Sequence, residues 1–188
     1  MKKTSYRMTV AGVTRDLPLC PLNEDLQIAA FVIFGDVELT ECTAKALLEK
    51  APEHDIIITA ESKGIPLAYE MARLSGNNKY VVARKMPKLY MQDIVTTTVR
   101  SITTDAVQSL CVGKAEIEML KGKRVLIVDD VISTGESIEA VVKLVQEVGG
   151  NIVGKMAILA EGDAMERKDI IALEKLPLFD KNGDVIED

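Results

Sequence analysis

"VLIVDDVISTGES", residues 125–137, sets four apolar residues against two adjacent aspartates and then a run of hydroxyls around one glycine. The short apolar run bounded by polar residues reads as a buried strand. The periodic segment after it, SIEAVVKLVQEV at 137–148, reads as a helix stopped by Gly149-Gly150. Strand, loop and helix form the unit of an α/β sheet, whose ligands bind where loops leave the carboxyl ends of the strands. Asp129 and Asp130 fall at that edge. The loop Ser133, Thr134, Gly135, Glu136, Ser137 runs into a helix N-terminus, where unpaired N–H groups and the positive end of the dipole attract an anion. Gly135 lets the backbone curl close to a phosphate, and the Ser133, Thr134 and Ser137 hydroxyls add donors. The aspartates would repel that same phosphate, so they suit hydroxyl groups a few ångströms away. A sugar phosphate satisfies both halves.

The same alternation extends outward in both directions. DIIITA (55–60), YVVA (80–83) and NIVGKMAILA (151–160) read as further strands, and IPLAYEMARL (65–74) as a helix closed by Ser75-Gly76. Asp36 caps a helix over 37–50 that Ala51-Pro52 ends. LQIAAFVIF (26–34) reads as one buried strand, although its length also suits a buried helix. Residues 86–120 fit no single period, and a connection that long is usually a lid or arm. The tail, 176–188, reads as a turn and a mobile acidic end.

Composition limits the partners. The chain has 188 residues, 47% hydrophobic and 28% charged, enough for one compact domain over 1–188. A net charge of −6 disfavours nucleic acid and anionic membrane, leaving a small molecule as partner. No apolar stretch approaches the roughly 20 residues of a membrane span. The three cysteines, Cys20, Cys42 and Cys111, lack CxxC spacing, which points to a reducing cytoplasm and not to a disulfide framework or zinc site.

Each feature of the opening stretch has an ordinary structural reading: a strand end, a helix cap, a turn glycine. Their order between a strand and a helix favours the sugar phosphate. VLIVDD also resembles the acidic-pocket strand of response-regulator receivers. That strand opens the receiver fold, and here only 58 residues follow Asp130.

The whole of VLIVDDVISTGES is similar to the phosphoribosyl pyrophosphate signature of type I phosphoribosyltransferases. ESKGIPLAYEMA, VVARKMPKL and AILAEGD extend the resemblance over most of 11–175, toward the purine branch: adenine and xanthine phosphoribosyltransferases and the related domain of a bacterial purine repressor. The resemblance implies an α/β fold of that type: a twisted, mainly parallel sheet with helices on both faces, a small N-terminal hood (about 1–35) and a flexible lid arm (about 86–120). It implies transfer of phosphoribosyl from phosphoribosyl pyrophosphate to a free purine base, adenine or xanthine. Asp129 and Asp130 would bind the ribose hydroxyls, and Mg2+ would be carried by the substrate with no direct protein ligand. Pyrophosphate would lie on Glu61, Ser62, Lys63 and Gly64, a loop that in the family often carries a peptide of unusual geometry, and on Arg84, Lys85 and Lys88. A homodimer is also implied.

Base choice is less legible. GVTRDLPLCPL resembles the hood segment of adenine enzymes without its aromatic residue, leaving Arg15 as a candidate base contact. Asn23 resembles a base-contacting Asn of xanthine enzymes, and is equally an ordinary turn residue. The lid Glu-Tyr of adenine enzymes is replaced by Cys111-Val112, so no general acid or base is evident. A non-catalytic module that senses the sugar pyrophosphate is the alternative function. His54, in APEHD before a strand, reads as an exposed loop residue, and Cys111 lacks a base partner that would make it a nucleophile.

Overall fold

A computed structural model of the chain describes residues 2–100 and 107–186; residues 101–106, within the segment expected to be the arm, lie outside them. Five parallel strands form the central sheet, in the order β10 (Ile171–Leu176), β9 (Asn151–Glu161), β8 (Arg124–Ile132), β4 (Ile56–Ala60), β5 (Val81–Ala83). Its inner strands β4 and β8 are largely apolar on both faces because both faces are covered. Ile57, Leu126 and Val128 pack toward α1 (Val37–Leu48) and α2 (Ile65–Leu74), whereas Ile56, Ile58, Val125 and Ile127 pack toward α3 (Lys114–Leu120) and α4 (Glu136–Glu147). Asp36 caps α1 as expected, its Oδ1 accepting the Leu39 N–H at 3.1 Å. No described helix is long and apolar enough to cross a membrane.

From β4 the chain moves to β5 on one side, and from β8 to β9 and β10 on the other. The strand order therefore reverses between β4 and β8. Pairing of these two strands ends at Ile58 and Ile127. Beyond that point Thr59 and Ala60 pair with β5, and Asp129 to Ile132 stay with β9. The two strands part at their carboxyl ends, and a crevice opens at the switch point.

The hood is a four-stranded sheet in the order β1 (Ser5–Val10), β2 (Val13–Pro21), β3 (Leu26–Ala29), β11 (Phe179–Asp180). It corrects two expectations. The stretch 26–34 is a strand only over β3, pairing antiparallel to β2 and leaving 30–34 as a connection toward α1. The tail returns as β11 beside β3, with Phe179 buried against Tyr6 at a ring separation of 5.0 Å. Asp180 Oδ1 accepts the Asn182 and Asp184 N–H groups, so the expected turn is present and pinned to the hood.

The arm contains an antiparallel hairpin, β6 (Val95–Arg100) and β7 (Val107–Val112), followed by α3. Arg84 and Cys111 exchange backbone hydrogen bonds of 2.9 and 2.8 Å, tying the hairpin to the end of β5. Buried Leu110 and Val112 pack with α4, and Thr97 Oγ1 donates to Glu147 Oε2 at 2.7 Å.

Candidate active site

A cavity of about 640 Å3 fills the crevice between β4 and β8. Glu61, Ser62 and Lys63 form its wall after β4, and Lys85 enters from the end of β5. Asp129, Asp130 and Val131 rise from β8, and Ser137 closes it from α4. A smaller recess of about 120 Å3 continues along the loop Ser133, Thr134, Gly135, sharing Asp129, Val131 and Ser137 with the larger one. Glu61, Ser62, Lys63 and Lys85, both aspartates, and Ser133, Thr134, Gly135 and Ser137 are thus brought to one place.

Loops that lead into two helices meet there. Gly64 precedes α2 and Gly135 precedes α4, and no side chain caps either helix by the usual hydrogen bond. Only a 3.5 Å approach of Thr134 Oγ1 to the Glu136 N–H comes near a cap at α4. At α2 the Ile65 N–H donates to the Ser62 carbonyl at 3.2 Å and Pro66 has no N–H, so what each helix start offers an anion is the positive end of its dipole and the amides of the loop before it. Gly135 adopts φ +81, a left-handed conformation suited to glycine.

Gly64 is required for a different reason. A Cβ there would lie 2.2 Å from Thr59 Oγ1 and 3.0 Å from Asp129 Oδ1, so the loop reaches this close to the aspartate only without a side chain. The Glu61–Ser62 peptide in the same loop is cis.

The aspartates lie within β8 and not after it, because β9 continues to pair alongside them. Asp130 is 3% exposed, and Lys63 Nζ stands 2.8 Å from its Oδ2. Asp129 accepts the Asp130 N–H at 2.9 Å. Burial, and then the charge of Asp130, pushes the Asp129 carboxyl well above the usual range for an aspartate. Glu61 accepts the Lys85 N–H at 3.0 Å and Arg84 Nη1 at 3.2 Å. The Lys85 amide, followed by the charges of Lys88 and Arg84, holds the Glu61 carboxyl below its ordinary value.

Several candidates lie elsewhere. Arg84 turns from the cavity toward Glu61 and Tyr90, and Lys88 is exposed beyond it. Arg15 binds Asp36 at 2.7 Å and Glu38 at 2.8 Å, joining the hood to the start of α1. Asn23 Oδ1 accepts the Asp25 and Leu26 N–H groups, closing the turn before β3. Neither Arg15 nor Asn23 lines the cavity. Sequence reasoning missed Ser109 and Leu110, which line it from β7, and Arg167, which reaches the loop before α4. The signal for Arg167 was its position: a cation just past the carboxyl end of the strand next to β8.

Comparison with known proteins follows the same geometry. The family model described as a phosphoribosyl transferase domain matches residues 38–182. An adenine phosphoribosyltransferase of Lachnoclostridium phytofermentans is 33% identical over 137 residues, covering 68% of this chain and 67% of that one. The crystal structure of adenine phosphoribosyltransferase from Rhodothermus marinus superposes with a TM-score of 0.69 at 26% identity, over 85% of this chain and 94% of that one. The purine biosynthesis transcriptional repressor PurR of Bacillus subtilis is 30% identical over 116 residues, covering 62% of this chain and 39% of the repressor.

Proposed function

This chain belongs to the phosphoribosyltransferase family, and from that premise we propose that it is a purine salvage enzyme. It transfers the phosphoribosyl group of phosphoribosyl pyrophosphate to adenine, releasing pyrophosphate and the nucleoside monophosphate. One observation carries this reading: the loops leading into two helices that no side chain caps meet at one crevice, with Asp129 and Asp130 on the strand there. Such a site fits a ligand anionic at both ends and hydroxylated in the middle.

The 5-phosphate takes the 133–137 loop, where N–H groups and hydroxyls donate to it. The ribose 2- and 3-hydroxyls donate to Asp129 and Asp130. Pyrophosphate takes the amides of Ser62 and Lys63 and the ammonium groups of Lys63 and Lys85. Lys63 already binds Asp130, so donor binding exchanges one anionic partner of this lysine for another. Transfer breaks the bond from C1 to the pyrophosphate oxygen and forms one from C1 to a purine nitrogen, whose proton leaves with the released pyrophosphate. Positive charge develops on the sugar, and the Asp130 side chain lies where it stabilises it.

The residues fit magnesium in one way only. The described residues contain no group of three or more His, Cys, Asp or Glu side chains able to cage an ion. Two adjacent carboxylates on a roomy polar cavity suit an ion that arrives on donor oxygens and water. Asp129 and Asp130 would hold such an ion through its water ligands, and it would supply charge neutralisation for the leaving pyrophosphate. Leu110 and Val131 supply apolar wall for the face of a purine. The adenine assignment draws on the relatives named above.

A second reading, a module that binds the sugar pyrophosphate without turning it over, is favoured by the likeness to PurR and by Cys111-Val112 in the arm. Incubation with magnesium, the donor and each of adenine, xanthine, hypoxanthine and guanine separates the two. Pyrophosphate release with adenine supports the enzyme; release with another base alone reassigns the substrate. Saturable donor binding without turnover of any base supports the sensor.

A further inference from the structure

Arg167 follows β9 and the short helical turn Gly162–Glu166, so it leaves the same edge of the sheet as the aspartates. Its guanidinium crosses to the start of α4. Nη2 donates to Glu139 Oε1 at 3.2 Å, and Nη2 and Nε grip Asp169 at 2.8 and 3.1 Å. Asp169 is itself held by Lys155. Nη1 has no hydrogen-bond partner among the described residues, and it lies against Gly135. A Cβ on that glycine would be 2.3 Å from Nη1 and 3.5 Å from Cζ.

The first turn of α4 carries two acids, Glu136 and Glu139. Both oppose a phosphate entering at that helix end. Arg167 offsets Glu139 directly, and its side chain is only 27% exposed, braced by carboxylates on one side. A guanidinium fixed in this way loses little further freedom when it binds, and its remaining amino group is an oriented donor beside the loop.

We infer that Arg167 is a binding residue for the 5-phosphate of the sugar donor, with Nη1 donating to a phosphate oxygen held before α4. The inference rests on the reading of 133–137 as the phosphate loop. It adds a cation to a subsite otherwise built from amides and hydroxyls, and it explains how a helix start bearing two glutamates can hold a dianion.

Titrations with ribose 5-phosphate and with pyrophosphate, each against wild type, Arg167→Gln and Arg167→Lys, test it. Arg167→Gln is expected to weaken ribose 5-phosphate about 10- to 100-fold, in line with one charge-assisted hydrogen bond. Pyrophosphate affinity stays within about twofold, because that ligand occupies the opposite pole. Arg167→Lys keeps the charge without the fork and falls between; should the glutamine variant not fold, it carries the test. Unchanged ribose 5-phosphate affinity in a folded variant overturns the inference. So does an equal loss for both ligands, which marks Arg167 as structural. If wild type binds neither ribose 5-phosphate nor the full donor, the phosphate-loop reading itself falls.

Discussion

Lys63 Nζ lies 2.8 Å from Asp130 Oδ2, joining the loop after β4 to the end of β8 across the crevice that parts those strands. The carboxylate is almost fully buried and the ammonium is 45% exposed, so the pair is open to exchange on its lysine side. Asp130→Asn keeps the shape and removes the charge. We expect a 10- to 100-fold loss in affinity for phosphoribosyl pyrophosphate, corresponding to about 1.5–3 kcal/mol for a hydrogen bond to a charged group. Folding stability changes by less than about 1 kcal/mol, since the lysine becomes solvated. Calorimetric titration and urea unfolding read the two effects separately.

Gly64→Ala tests the close approach of the loop to Asp129. The new Cβ meets the buried Thr59 hydroxyl at 2.2 Å, and neither neighbour is a long flexible chain that can swing away. Overpacking of this kind costs about 1–3 kcal/mol. The variant is expected to unfold at lower urea and to lose donor affinity together with stability, because the aspartate moves with the loop.

Asp129 predicts a pH dependence of opposite sign to that of an ordinary surface carboxylate. Its folded-state pKa is raised by burial and by Asp130, so its contribution to stability is greatest below the ordinary value of 3.8. That contribution declines as pH climbs from there toward neutrality. Asp129→Asn removes the loss. At pH 7.5 the variant should be more stable than wild type by on the order of 1 kcal/mol, about 2–4 °C in Tm for a chain of this size. The advantage should vanish near pH 3. Thermal unfolding across that range checks the sign; an advantage that grows as pH falls contradicts it.

Glu61 holds the backbone of Lys85 through a 3.0 Å hydrogen bond and restrains Arg84 at 3.2 Å. Glu61→Ala frees the start of the basic segment. Pyrophosphate affinity is expected to drop about 5- to 30-fold, with ribose 5-phosphate affinity unchanged. Competition titrations with the two half-ligands distinguish this from a general loss of fold.

The legible parts of the sequence were those where one residue type recurs for one reason. Runs such as III and VLIV are apolar throughout because helices cover both faces of their sheet, and the same stretches carry the loops that meet at the crevice. The β6 half of the hairpin was hidden because one of its inward residues is Thr97, opposite Leu110 and satisfied by Glu147, so its alternation carries little hydropathy signal. The hood was misread where it changes direction: apolar residues continue from 26 to 34 although pairing stops at Ala29. β11 depends on a partner some 150 residues away, with Gln27 Nε2 reaching the Asp180 carbonyl at 2.8 Å, and no local pattern announces it. Arg15 and Asn23 show the converse difficulty. A resemblance drew attention to them, and the contacts they make are internal to the hood and its junction with α1.

The central claim is that one crevice holds the sugar donor by both ends, and a crystal structure with magnesium and phosphoribosyl pyrophosphate tests it most directly. The account predicts the 5-phosphate within hydrogen-bonding distance of the 135–137 amides, the ribose hydroxyls on Asp129 and Asp130, and the pyrophosphate against Ser62 and Lys63. Donor density outside the β4–β8 crevice, or a phosphate bound away from the start of α4, would contradict it.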